Sequence, residues 1–409
     1  MTESAETSGD GYATLSAIHG IIDERSHSFL GMSNKHTLEK LGEKWTANMR
    51  KNHENKMWKK HGSLFDACAG MSSNKAFIGV GAGPSLKKNI GVLKYIHDTD
   101  GTKPWHLRNF LICVSNHHFK PLLEMGIVPD FVTLVDASDV VYNQLCVNIP
   151  HHGQSTTLIA PFHASPRVLK KWAKQGRAIK FFTASAESMR TPFKEITGID
   201  AERHFLHSGG NVLNTMWMYS AKIMGACVFI CMGNDLSFPV KANKKEQEDG
   251  YYADGDYSTN AKVTGTGRDE AACEKKWLAF SIKKRNIFVQ GQNEFEIIGK
   301  DIVGTSHTLW VYKTWMEEAM VLMTKLSPKL GLHYYNCTEG GILGVMSKST
   351  ESSDMKTDDN WFMMDDVCHR WHTTTLEHAA SQYLQAKAKV REEKSGGIIY
   401  DRSPQLCTT

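Results

Sequence analysis

Short apolar runs alternate with helix-length segments over most of this chain. Ala76–Val80 and residues 110–114, 131–135, 156–161, 179–182, 227–231 and 332–336 are apolar runs of strand length. Between them lie segments whose apolar residues recur three and four apart, the period of a helix face. Residues 86–97, 118–125, Pro166–Lys174, 210–224 and 306–325 read as helices. Strands separated by helix-length segments predict parallel βαβ units, so the expected fold is α/β, a Rossmann-like, mostly parallel sheet with flanking helices.

Helical segments are expected at both ends. Leu38, Leu41, Trp45 and Met49 form an apolar face within residues 35–60, and residues 362–394 read as a helical tail after a Ser/Asp/Lys linker. The division that follows is an N-terminal helical segment (1–74), a central α/β domain (75–346), and a linker with its tail (347–409). Residues 240–275 are polar, carry Tyr251, Tyr252 and Tyr257, and interrupt the alternation. A polar insertion this long is a functional lid or a plain loop.

Composition narrows the partners. With 409 residues, 41% hydrophobic, a full core can form, and the net charge of +4 is too mild to mark a nucleic-acid surface. A phosphorylated small molecule fits the balance equally well. The nine cysteines include no C-x-x-C pair, so neither a zinc site nor a disulfide framework is expected, and a reducing compartment follows. The first ten residues lack the basic and apolar regions of a signal peptide. No apolar run approaches the roughly 20 residues of a membrane helix. A cytoplasmic protein without a membrane partner is expected.

Four glycine-rich or acidic turns follow the apolar runs. The first is Gly79-Val80-Gly81-Ala82-Gly83-Pro84-Ser85-Leu86. Glycines admit close backbone approach and positive φ, Pro84 suits a first helical turn, and free amides at a helix start attract phosphate. Gly81, Ala82, Gly83, Pro84 and Ser85 are therefore the candidate phosphate cradle. The pattern is neither a Walker loop nor G-x-G-x-x-G. The second turn ends residues 131–135 with Asp136, which can hold a ribose hydroxyl or a magnesium ion, or simply cap the next segment.

The third turn is His207-Ser208-Gly209-Gly210-Asn211, whose helix leads into Gly233-Asn234-Asp235. Ser208, Gly209, Asn211 and Asn234 can offer donors to a nucleotide. His207 is a candidate general base, and Asp235 can serve metal, ribose or acceptor. The fourth is Asn336-Cys337-Thr338-Glu339-Gly340-Gly341, where Thr338 and Glu339 either open a helix or line the same cleft. All four follow strands and are expected to precede helices, which in a parallel sheet puts them along one edge.

Gly81-Ala82-Gly83-Pro84-Ser85-Leu86, Gly126-Ile127 with Pro129-Asp130, Gly233-Asn234-Asp235-Leu236, and Asn336 with Thr338-Glu339-Gly340-Gly341 together resemble the MptE-like family. That family includes 6-hydroxymethylpterin diphosphokinases and motility accessory factors. The first and third turns are also similar to those of bacterial sialyltransferases, with Ala82 where those enzymes carry Asn. The resemblance implies a transferase with a nucleotide or nucleotide-sugar partner and an acceptor it leaves open. In the diphosphokinase branch Asp136 and Asp235 would hold magnesium. In the glycosyltransferase branch, which the fourth turn resembles more, no cofactor is required. A non-catalytic nucleotide-binding module is the third alternative.

Overall fold

A computed structural model describes residues 30–207, 209–239, 277–289, 292–305, 307–326, 332–347 and 361–395. The segment 240–275, and with it the expected lid, lies outside the described residues, as do Ser208 and the linker 348–360. In chain order the strands are β1 (Ala76–Val80), β2 (Phe110–Ser115), β3 (Phe131–Thr133), β4 (Thr157–Pro161), β5 (Ile179–Ala184), β6 (Phe205–Leu206), β7 (Val228–Met232), β8 (Phe238–Pro239), β9 (Trp277–Val289), β10 (Gln292–Thr305), β11 (His333–Asn336), β12 (Val345–Ser347), β13 (Trp361–Met363) and β14 (Trp371–Thr373). Nine of them form one sheet in the order β14-β11-β7-β1-β2-β3-β4-β5-β6. Every pairing in it is parallel.

The expected α/β architecture is therefore present, and the strand sequences explain why. Residues of β1, β2 and β7 are buried on both faces, as a parallel sheet covered by helices requires. Ile78, Ile112 and Ile230 point into one core layer, while Phe77, Leu111 and Phe229 point into the other. The first layer is closed by α1 (Leu30–Glu54), α2 (Met57–His61), α4 (Leu86–Ile96), α5 (Phe119–Glu124), α6 (Val141–Cys146), α7 (Pro166–Lys174), α8 (Glu187–Thr197) and α11 (Leu376–Ser395). The second is closed by α3 (Leu64–Cys68), α9 (Val212–Lys222) and α10 (His307–Leu326).

Both terminal segments are tied to this sheet. Asn52 of α1 is fully buried and donates to the carbonyls of Phe162 and Ala164, at 2.8 and 2.9 Å. Tyr383 of α11 packs on Phe110 and donates to the Asn74 carbonyl at 2.7 Å.

The tail departs from the expected all-helical segment. Residues 361–363 and 371–373 are strands, and β14 pairs with β11 as the edge of the main sheet. Trp371 explains the pairing: it is buried and stacks on Tyr334 at 4.3 Å. A second departure is the antiparallel hairpin of β9 and β10, to which β8 adds a short third strand. A third is Cys227, which is disulfide-bonded, where no disulfide framework was expected.

Candidate functional site

The chain passes from β6, at one edge of the sheet, back to β7, which pairs with β1 on the side away from β2. That reversal creates a crevice at the carboxyl ends of β7, β1, β2 and β3, where open α/β sheets bind ligands. A cavity of about 280 Å³ occupies it. Its polar lining is Gly81–Gly83 after β1, Ser115 at the end of β2, Asn116 and His117 after it, Asp136 after β3, Asn211 before α9, and Asn234, Asp235 and Ser237 after β7. Gly233 after β7, Val140 just before α6, Val141 and Gln144 of α6, Val212 and Leu213 of α9, Leu236, and Leu309 and Tyr312 of α10 complete it.

Of the residues expected at the site, Gly81, Ala82, Gly83, Asp136, Asn211, Asn234 and Asp235 meet at this cavity. Pro84, Ser85, His207, Gly209, Thr338 and Glu339 stand outside its lining. His207 follows the edge strand β6, and its ring packs edge-on against Phe205 at 5.3 Å. Gly209 has φ 58°, and a Cβ there would lie 2.4 Å from the Trp315 ring. Ser115, Asn116, His117, Gln144 and Tyr312 are lining residues that motif reasoning missed. Ser-Asn-His-His directly after the apolar run 110–114 was the available signal, because carboxyl ends of parallel strands face the crevice.

The glycine turn is shaped by its neighbours. Neither Gly81 nor Gly83 has positive φ, contrary to the expectation for this turn. Both are glycine because other chain segments lie against them. A Cβ on Gly81 would fall 2.1 Å from the Gly233 carbonyl oxygen, and one on Gly83 would fall 2.0 Å from the Asp235 Oδ2. Gly83 N–H donates to the Gly233 carbonyl at 2.8 Å, and Gly81 N–H to that of Met232 at 2.8 Å.

Asp235 joins three of the four turns. Its carboxylate accepts from Ser85 Oγ at 2.8 Å and from Ser85 N–H at 3.2 Å. Its backbone carbonyl accepts from Ile342 N–H at 2.9 Å, and a Cβ on Gly341 would lie 2.1 Å from that oxygen. Lys88 of α4 donates to the Glu339 carbonyl at 2.6 Å and closes the same contact. Glu339 and Leu236, at φ 54° and 50°, hold left-handed conformations within these turns. Such conformations cost of order 1–3 kcal/mol each in non-glycine residues. The third turn opens α9 as expected, with Asn211 as its cap, but no helix starts directly after Asp235 or after the fourth turn: β8 follows Asp235 and β12 follows Gly341.

Burial pushes the Asp235 carboxyl up to about 6, against the hydrogen bonds from Ser85 and the charge of Lys88, which act to lower it. A folded-state value above the unfolded 3.8 means the native protein holds the extra proton. Stability from this group is complete below about pH 4 and is lost as pH rises through about 6. In Asp235→Asn that loss disappears. The stability difference between variant and wild type should shift in the variant's favour by up to about 3 kcal/mol between pH 4 and 7. Urea midpoints across that range measure it, and a pH-independent difference would rule the titration out.

The two aspartates do not form a ready cation site. Among the described residues no three His, Cys, Asp or Glu side chains gather as metal ligands. Asp136 is exposed and folds back on Ser138, accepting from its N–H at 2.7 Å and its Oγ at 2.9 Å, the capping arrangement. Asp235 is committed to Ser85. What the cavity does offer is unsatisfied polar capacity. Among the described residues Ser115 Oγ and Asn211 Nδ2 are buried lining atoms without a hydrogen-bond partner, while Asn211 Oδ1 caps α9 by accepting from Asn214 N–H at 2.8 Å. Buried polar atoms of this kind are rare and call for an explanation such as a ligand or water.

Comparison with known proteins bears out the resemblance seen in the sequence. The family model described as "6-hydroxymethylpterin diphosphokinase MptE-like" matches residues 44–241. Among solved structures, that of a Maf glycosyltransferase from Magnetospirillum magneticum AMB-1 is similar, with TM-score 0.43 and 17% identity. The match covers 78% of this chain and 37% of that one. No curated protein matches. Among the described residues no helix is long and apolar enough to cross a membrane.

Proposed function

We propose, on the premise that residues 44–241 are an MptE-like region, that this protein is a nucleotide-dependent transferase whose nucleotide occupies the cavity between β7, β1, β2 and β3. We assign it glycosyl transfer from a CMP-type sugar. The observation that carries the proposal is the cavity's composition. Ser115 Oγ and Asn211 Nδ2 are buried there without partners among the described residues, beside the backbone of Gly81–Gly83, and an apolar wall faces them. A few polar atoms converging in an apolar cleft are the usual makings of a small-molecule site. At about 280 Å³ the cavity is close to the lower limit of such sites. It suits the nucleotide portion of the donor, with sugar and acceptor beyond its mouth.

In this reading Ala82, Gly83 and Asn234 contact the nucleotide, and Asp235 holds the turn that contacts it. Pro84, Ser85, Gly209, Thr338 and Glu339 support the site from behind. The general base stays open, with His207, Asp235 and Glu339 as the sequence candidates. A diphosphokinase is the second reading, favoured by the description of the matching family. It needs a cation site that Asp136 and Asp235 do not preform, and a strict magnesium requirement separates the two. CMP-, UDP- and GDP-sugars, and ATP with a hydroxymethylpterin, assayed with and without EDTA, test the assignment. Glycosyl transfer of the sialyltransferase type should survive EDTA nearly unchanged.

A further inference from the structure

The walls of the cavity differ in chemistry. Its strand-end side carries two acidic side chains, Asp136 and Asp235, and among the described residues that line it there is no Lys or Arg. The start of α4, where free amides attract phosphate, already holds a carboxylate. Ser85 donates to Asp235 through its N–H at 3.2 Å and through its Oγ at 2.8 Å. A phosphate seated inside would meet these acids with no fixed cation from the described lining to offset them. Like charges brought together in a desolvated cleft repel strongly. An uncharged group fits this interior better.

The helix side supplies what a flat, uncharged ring needs. Leu309 and Tyr312 are three apart on α10, so they share the helix face that lines the cavity. Val212 and Leu213 of α9 line it as well. Asn214, fully buried, fixes this wall. Its Nδ2 donates to the carbonyls of Tyr312 and Gly209, at 3.1 and 2.9 Å, and its N–H donates to Asn211 Oδ1 at 2.8 Å. One side chain thus sets α10 against the turn that carries Asn211. With Oδ1 spent on the cap, Asn211 has Nδ2 left to offer, a group that only donates. That atom is buried and has no partner among the described residues.

We propose, resting on the nucleotide reading above, that the cavity seats the nucleobase and not the phosphate. The ring of the base lies against Tyr312, an acceptor on its edge takes the Asn211 Nδ2 donor, and the phosphate points out through the mouth. Every nucleobase has a π-face to stack and at least one acceptor on its edge. Ser115 Oγ, on the strand-end side, adds a hydroxyl that can donate or accept. Tyr312 and Asn211 are then the residues that bind the base, and the bond to be broken lies toward the mouth, where an acceptor can reach it.

Calorimetric titration of the full chain with the four ribonucleosides, their 5′-monophosphates and ribose 5-phosphate tests the orientation. The preferred nucleoside should bind within about tenfold of its monophosphate, and ribose 5-phosphate should not saturate. Tyr312→Leu should weaken nucleoside and monophosphate alike by at least about tenfold, the scale of a lost base stack. Tyr312→Phe, which keeps the ring, should retain binding. Asn211→Asp keeps an acceptor for the α9 cap and removes the donor. It should weaken the nucleoside, which carries no charge to be repelled, by at least about tenfold. Melting curves confirm that each variant is folded. Ribose 5-phosphate binding as tightly as the best monophosphate, with every nucleoside inert, would overturn this orientation and leave the nucleotide reading standing. Unchanged nucleoside affinity in folded Tyr312→Leu and Asn211→Asp would overturn it too. If none of the four monophosphates binds the wild type, the nucleotide reading falls and this inference falls with it.

Discussion

Gly81→Ala should destabilise the protein by about 3 kcal/mol or more, the upper range for overpacking a close-packed interior. The added Cβ would lie 2.1 Å from the Gly233 carbonyl oxygen and 2.8 Å from its carbon. Both are backbone atoms, so no side chain can move aside. Relief requires β1 and β7 to separate just where Gly81 N–H and Gly83 N–H donate to Met232 and Gly233. Gly91→Ala is the internal control. It lies mid-helix in α4 with nothing within 4 Å of its Cβ position. There the same substitution should stabilise by about 0.5–1 kcal/mol, because alanine is the better helix former. Urea denaturation of both variants measures the contrast. Equal and small effects would mean that the turn is looser than its geometry implies.

Lys313→Met should cost about 3–5 kcal/mol, because it strands a buried carboxylate. Lys313 and Glu317, one turn apart on α10, are 2% and 3% exposed and approach to 2.5 Å. Glu317 also accepts from Gly344 N–H at 2.7 Å. Burial raises the Glu317 carboxyl, and the adjacent lysine opposes that rise. The pair thus ties α10, which presents Leu309 and Tyr312 to the cavity, to the fourth turn, which packs on Asp235. The double variant Lys313→Met, Glu317→Leu should recover most of the loss, since matched apolar replacement of a buried pair is often neutral. It should not recover α10 placement fully, because the Gly344 contact is gone. Denaturant midpoints of the three proteins decide this, and a mild single variant would place the pair in solvent.

The strand–helix alternation was legible because parallel strands buried on both faces are continuous apolar runs. Runs such as 110–114 and 227–231 have no polar position to blur them. The short edge strands were not legible. β6 has two residues and β14 three, and Trp371-His372-Thr373 carries no period of its own. It becomes a strand because Trp371 finds Tyr334. At the site, glycines marked where chain segments touch, but composition alone does not tell ligand from protein as the touching partner. At Gly81 and Gly83 the partner is the turn after β7. Asp235 read as a metal or ribose ligand for the same reason: a carboxylate after a parallel strand points at the crevice, whereas in the fold Ser85 claims it. The missed lining residues 115–117 follow the same strand-end rule that found Asp136.

Turnover of nucleotide sugars is the most direct measurement of the central claim. The purified chain is incubated with CMP-, UDP- and GDP-sugars, and separately with ATP and a hydroxymethylpterin, each with magnesium and with EDTA. Release of CMP from a CMP-sugar, little changed by EDTA and reduced at least about tenfold in Asn211→Ala, is the result predicted here. Asn211→Ala also removes a helix cap worth about 1 kcal/mol, so its fold is confirmed first by melting. Strictly magnesium-dependent pyrophosphate transfer from ATP to the pterin, with every nucleotide sugar left intact, would contradict the assignment.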